Sequence, residues 1–96
     1  MMVLITYDVS TATAGGSRRL QRVSKVCKNY GQRVQKSVFE CLVDPAQWIR
    51  LRQRLIDETR LDEDSLRFYF LGKNWKGSVE HLGVQTAYDP EGPLVV

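Results

Sequence analysis

Asp8 is the first residue of this 96-residue chain equipped for chemistry, and no other acidic side chain occurs before Glu40. It closes the run Val3-Leu4-Ile5-Thr6-Tyr7, whose β-branched and aromatic residues read as a strand. A carboxylate in that place has two readings. It can end the strand and begin the turn, as aspartates often do. Or it can be held on a rigid element because it binds something, since an acid is rarely kept among apolar residues without a partner.

The surrounding charges point to a polyanion. Arg18, Arg19, Arg22, Lys25, Lys28, Arg33 and Lys36 all lie between Asp8 and Glu40, with no acid among them. From Glu40 onward the balance reverses, with ten acids against seven bases. An acid-free basic helix favours a phosphate-facing side over a merely solvated face. Gly15-Gly16 precede that helix, but no Walker lysine follows them. Free N–H groups at a helix start can meet a phosphate, and a flexible connector explains the glycines equally well.

Other reactive groups are few. His81 is the sole histidine and reads as structural; Cys27 and Cys41 are the only thiols and read as core. They give no zinc spacing and no Ser/His/Asp or Cys/His set. A single aspartate seldom runs a reaction, but a twofold axis doubles it. Two facing carboxylates repel unless one is protonated or a cation lies between them. Magnesium, with manganese as a substitute, is held by one or two carboxylates and completed by water and phosphate oxygens. Paired Asp8 side chains lined by arginines would suit metal-assisted phosphodiester hydrolysis, or plain phosphate binding.

The elements that must position these residues follow from periodicity. The length gives one domain over 1–96, with a core over about 1–83 and a tail over about 84–96. No apolar run is long enough to span a bilayer, and no basic leader precedes the first strand. A cytoplasmic location and no membrane partner are expected. The spacing predicts a strand over 2–9 and a helix over 17–30, capped by Ser17 and stopped by Gly31. Leu20, Val23, Val26, Cys27 and Tyr30 form its core stripe. Arg18, Arg22, Lys25 and Lys28 lie opposite. Arg19 sits at the border, best placed to reach the strand ends.

A long strand follows over 32–43, with Val34, Val38 and Leu42 on one face and Phe39, Cys41 and Val43 on the other. Asp44-Pro45 caps a second helix to about 59. Its apolar arc is Trp48, Ile49, Leu55 and Ile56, with Leu51 at the edge and the Arg52 head in water. Strands over 65–71 and 79–83 follow, the first with Leu66, Phe68 and Phe70 on one face. The arrangement is read as βαββαβ, a ferredoxin-like α+β sandwich with both helices on one face of an antiparallel sheet. The other face, with Phe39 and Cys41 among its apolar candidates, predicts a homodimer. The apolar end Leu94-Val95-Val96, after two prolines, suits pairing with an edge strand of a second subunit.

Tyr7-Asp8 at the end of the first strand, the basic helix after a small loop, and Gln35-Lys36-Ser37-Val38-Phe39-Glu40-Cys41 resemble the CRISPR-associated protein 2 family. The resemblance covers nearly the whole chain. It implies a ferredoxin-like homodimer whose C-terminal segment pairs with the partner protomer's sheet. It implies Asp8 as a magnesium ligand, one from each protomer, in a metal-dependent endonuclease acting on single-stranded RNA or double-stranded DNA. It implies a dimer that bridges two CRISPR integrase dimers and holds spacer DNA. Positions matching the family's other implicated residues are Tyr7, Arg18 or Arg19, Arg33 and Phe39. Arg22 and Lys25 join them from the basic face as nucleic-acid contacts.

Two other readings compete. One is a catalytically silent DNA-binding scaffold. The other is a generic ferredoxin-like RNA-binding or regulatory module. Arg67-Phe68-Tyr69-Phe70-Leu71-Gly72 lacks the RNA-recognition signature, and Phe68 and Phe70 read as core. Trp75 and Lys76 are candidates to stack on and clamp a nucleic acid.

Overall fold

A computed structural model gives the fold; it describes residues 1–72 and 78–84. The loop candidates Trp75 and Lys76 and the tail from residue 85 onward lie outside the described residues. The elements run β1 (Met2–Asp8), α1 (Gly16–Tyr30), β2 (Gly31–Gln35), β3 (Val38–Leu42), α2 (Pro45–Glu58), β4 (Ser65–Leu71) and β5 (Val79–Gly83). They form one antiparallel sheet in the order β2-β3-β1-β4-β5. Its first four members with the two helices are the ferredoxin-like βαββαβ unit. β5 extends the sheet beyond β4.

The long strand expected over 32–43 is a hairpin. It breaks at Lys36-Ser37, and β2 folds back on β3 with a register shift between Arg33 and Gln35. No Gly, Pro, Asn or Asp marks that turn, so the alternation of apolar residues runs through it undisturbed. The hairpin supplies the paired central strands of the βαββαβ order.

Helix termini differ in detail from the expectation. Ser17 lies inside α1; the N-cap is Gly15, in the left-handed region at φ 85° and with no side-chain cap. Gly31 does stop the helix, its N–H donating to Cys27 O, but in extended backbone. Glycine is needed there for space, because a Cβ would stand 2.2 Å from Glu40 O on β3. α2 begins as expected: Asp44 Oδ1 accepts from Gln47 N at 2.7 Å, and Asp44 N donates to Gln47 Oε1 at 2.9 Å. This is a capping box with Pro45 in the first turn.

The core lies between the helices and one face of the sheet. Val3, Ile5 and Tyr7 point into it from β1, Phe39 and Cys41 from β3, and Leu66 and Phe68 from β4. Phe39 and Cys41 therefore do not lie on the open face, contrary to expectation; both are fully buried under the helices. The open face carries the alternate residues, including Leu4, Thr6 and Asp8, with Leu42 at 72% exposure. On α2 the buried set is Trp48, Leu51 and Leu55, while Ile49 is exposed. The helix thus turns about one residue further than expected. Trp48 meets Phe68 and Phe70 edge-on at 4.8 and 5.3 Å. The Arg52 head is not left in water: its Nε and Nη2 donate to the two Glu80 carboxylate oxygens, each at 2.9 Å. That fork ties α2 to β5.

Candidate functional site

β1 carries Asp8 because strand alternation sends Tyr7 inward and the next side chain outward. Asp8 is exposed, and among the described residues no hydrogen bond or ion pair engages its carboxylate. It therefore does not cap the turn that follows. Its backbone is firmly held nonetheless. Tyr7 N donates to Ser37 O at 3.1 Å, and Asp8 itself pairs with Ser65 of β4. Two residues on, Ser10 N donates to Asp64 Oδ1 at 3.0 Å, while Ser10 O accepts from Arg19 Nη2 at 3.2 Å. A rigid backbone presents a free carboxylate.

Asp8 stands at the rim of an open cleft of about 800 Å³ between α1 and the β2–β3 hairpin. Lys25 and Lys28 line it from α1, Arg33 from β2, and Lys36 from the turn. All four cations are exposed. Arg33 Nη2 donates to Ser24 Oγ, and its guanidinium carbon lies 5.2 Å from the centre of the Phe39 ring. Phe39 stacks on Tyr7 at 6.2 Å and 21°. The Tyr7 hydroxyl donates to Lys36 O at 3.4 Å. Burial pushes the Tyr7 phenol above its ordinary pKa, and the polar Ser24 and Arg33 side chains nearby offset part of the rise. At neutral pH it is a hydroxyl rather than a base.

Arg18 and Arg22 lie on the outer face of α1, where with Gln21 and Lys25 they line a second basic hollow. Gln21 and Lys25 border both hollows, so the two surfaces are continuous. Arg22 approaches Glu58 of α2 at 3.9 Å, an exposed contact of little energetic weight.

Arg19 lies elsewhere. It does reach back to the strand ends, but its guanidinium is buried against Asp64 and Glu63. Asp64 closes the acidic stretch Asp62-Glu63-Asp64, yet it is fully buried. Burial alone would raise its pKa. Arg19 and the N–H groups of Arg60 and Ser10 outweigh that and hold it below the ordinary carboxylate value. The Ser24 contact was likewise missed, since a serine between Val23 and Val26 gives no signal beyond a polar residue near the core stripe. His81 is structural as expected. Its Nδ1 accepts from Arg67 Nη2 at 3.0 Å, so Nε2 carries the proton and donates to Val84 O at 3.0 Å.

Among the described residues no group of three or more His, Cys, Asp or Glu side chains could hold a metal ion. Asp8 is the one carboxylate that lines the cleft in a protomer. That fits magnesium only where a second carboxylate or phosphate oxygens complete the shell.

Comparison with known proteins points one way. The family model described as CRISPR associated protein Cas2 matches residues 1–79. The chain is 60% identical over 96 residues to the CRISPR-associated endoribonuclease Cas2 of Nitratidesulfovibrio vulgaris, covering all of this chain and 94% of that one. It is 53% identical over 95 residues to the CRISPR-associated endonuclease Cas2 of Halalkalibacterium halodurans, covering 99% of each. The crystal structure of Streptococcus pyogenes Cas2 at pH 6.5 superposes with a TM-score of 0.70 at 55% identity, covering 86% of this chain and all of that one.

Proposed function

This chain belongs to the CRISPR associated protein Cas2 family, and we propose that it is a magnesium-dependent endonuclease that hydrolyses polynucleotide phosphodiesters. The observation that carries the reading is the exposed Asp8, unpartnered among the described residues, on a pinned strand end beside a cleft bearing four cations. Relatives named endoribonuclease and endonuclease support it.

The residues divide the work. Lys25, Lys28, Arg33 and Lys36 draw a phosphate backbone into the cleft and offset its charge as the bond breaks. Arg33 adds a planar fork that suits a phosphate. Asp8 would hold the cation, with the Asp8 of a second protomer as the other carboxylate. When bound, magnesium polarises the phosphodiester and lowers the pKa of water. Tyr7 and Phe39 fix the strand end and the arginine rather than touch the reacting atoms.

The second copy comes through the open sheet face. Met2 pairs with both Leu42 and Leu71, and the exposure of those two leucines leaves an apolar row uncovered. A homodimer that buries this row lets both Asp8 side chains approach the twofold axis.

A second activity rests on the outer face of α1. Arg18, Arg22 and Lys25 form a basic surface beside the cleft, suited to a DNA backbone. In this role the dimer bridges two dimers of the CRISPR integrase and carries spacer DNA. It needs no cleavage, so a silent Asp8 would leave it intact.

The test is cleavage of labelled single-stranded RNA and double-stranded DNA with magnesium, manganese or a chelator. Asp8→Asn should lower the rate by more than about 100-fold, the loss that even outer partners of a metal ligand approach. Cleavage surviving in a folded Asp8→Asn protein would reject the hydrolytic reading and leave the scaffold.

A further inference from the structure

Ser24 is a buried polar residue in α1, flanked by the core residues Val23 and Val26 and 9% exposed. Serine at such a place favours the helix less than alanine would, and once buried its hydroxyl needs a partner. The partner comes from another element: Arg33 of β2 donates Nη2–H to Ser24 Oγ.

Arg33 itself sits on an exposed edge strand, where an untethered arginine would sample many rotamers. Two interactions remove that freedom, the Ser24 bond and the face of Phe39. The Phe39 ring is in turn stacked on Tyr7, one residue before Asp8. The guanidinium is thus referenced both to α1 and to the strand that carries the carboxylate.

We infer that Ser24 is a positioning residue that holds the Arg33 guanidinium in the cleft, ready oriented for a phosphate of the bound polynucleotide. Arginine has five N–H donors, so one bond to serine leaves others to meet the phosphate. An arginine fixed beforehand loses less freedom on binding than a mobile one. The inference rests on the cleft being the polynucleotide site.

The test is a double-mutant cycle on binding, read by fluorescence anisotropy with a labelled single-stranded RNA. Ser24→Ala is expected to raise Kd by about three- to tenfold, the range for losing one preordered side chain. Arg33→Ala should weaken binding at least as much. The double variant should be no worse than Arg33→Ala alone, because serine acts only through the arginine. In cleavage, Ser24→Ala should lower kcat/KM by about the same three- to tenfold factor, and it should lower it no further in an Arg33→Ala background. Wild-type binding by Ser24→Ala, or additive losses in the double variant, would overturn the role of Ser24. Should Arg33→Ala itself bind normally, the cleft reading would fall and the inference with it.

Discussion

Arg19 donates from Nε to Asp64 Oδ2 at 3.0 Å, joining α1 to the start of β4 across 45 residues of sequence. Asp64 has no exposed surface, and it also accepts from Ser10 N and Arg60 N. The pair locks the segment that follows Asp8. Asp64→Ala should therefore lower stability by about 3 kcal/mol, since it removes the main partner of a buried arginine and leaves it only Glu63 and Ser10 O. Urea unfolding measures this; a loss under about 1 kcal/mol would contradict it.

The same pair sets a pH dependence. Its folded-state pKa is depressed, so Asp64 contributes its full stability above the unfolded carboxylate value of about 4. That contribution is lost as pH falls through the lower folded value. Glu80, held low by Arg52, acts with the same sign. Unfolding free energy should drop on acidification below about pH 4, and the drop should be shallower in Asp64→Asn.

Cys27 and Cys41 are both fully buried, and burial pushes their thiols up to about 12 and about 11. Neither is a thiolate at neutral pH. A thiol reagent should react with neither in the folded protein and with both in denaturant. Rapid labelling under native conditions would contradict this burial.

Charge on the outer face of α1 should govern duplex DNA affinity. Replacing Arg18, Arg22 and Lys25 by glutamate should weaken binding and flatten its salt dependence, by about 0.9 in the log–log slope for each phosphate no longer neutralised. Asp8→Asn should bind DNA as the wild type does. Filter binding across a salt series checks both.

Leu42, 72% exposed on the open sheet face, tests the dimer. Leu42→Asp leaves the core untouched but places charge in the proposed interface. Sedimentation should find a monomer with unchanged secondary structure. A persistent dimer would place the interface elsewhere.

Much of this fold was legible because the apolar periods are regular. The stripe of α1 and the alternation of β4 both appear in place, with Val23, Val26 and Cys27 buried, as are Leu66 and Phe68. The hairpin was not, because Lys36-Ser37 lacks a turn residue that would interrupt the pattern. Phe39, Cys41 and Val43 do share a face, but alternation alone does not say which face the helices cover. Asp8, Lys25 and Arg33 were legible as charges at informative positions, and the fold brings them to one cleft. Asp64 and Ser24 were not. One lies in an acidic link that resembles a solvated loop, and the other is a serine whose partner is nine residues away on another element. Burial and long-range pairing are tertiary facts that local spacing does not encode.

The central claim is that two Asp8 side chains make one cleavage site. Mixing wild-type and Asp8→Asn protomers in equal amounts, after exchange between dimers, measures it directly. If both carboxylates are needed, cleavage in magnesium should fall to about one quarter of the value for wild type at the same total concentration, because only dimers with two intact protomers act. A fall to about one half would mean that each protomer cuts alone, and unchanged cleavage would mean that Asp8 takes no part.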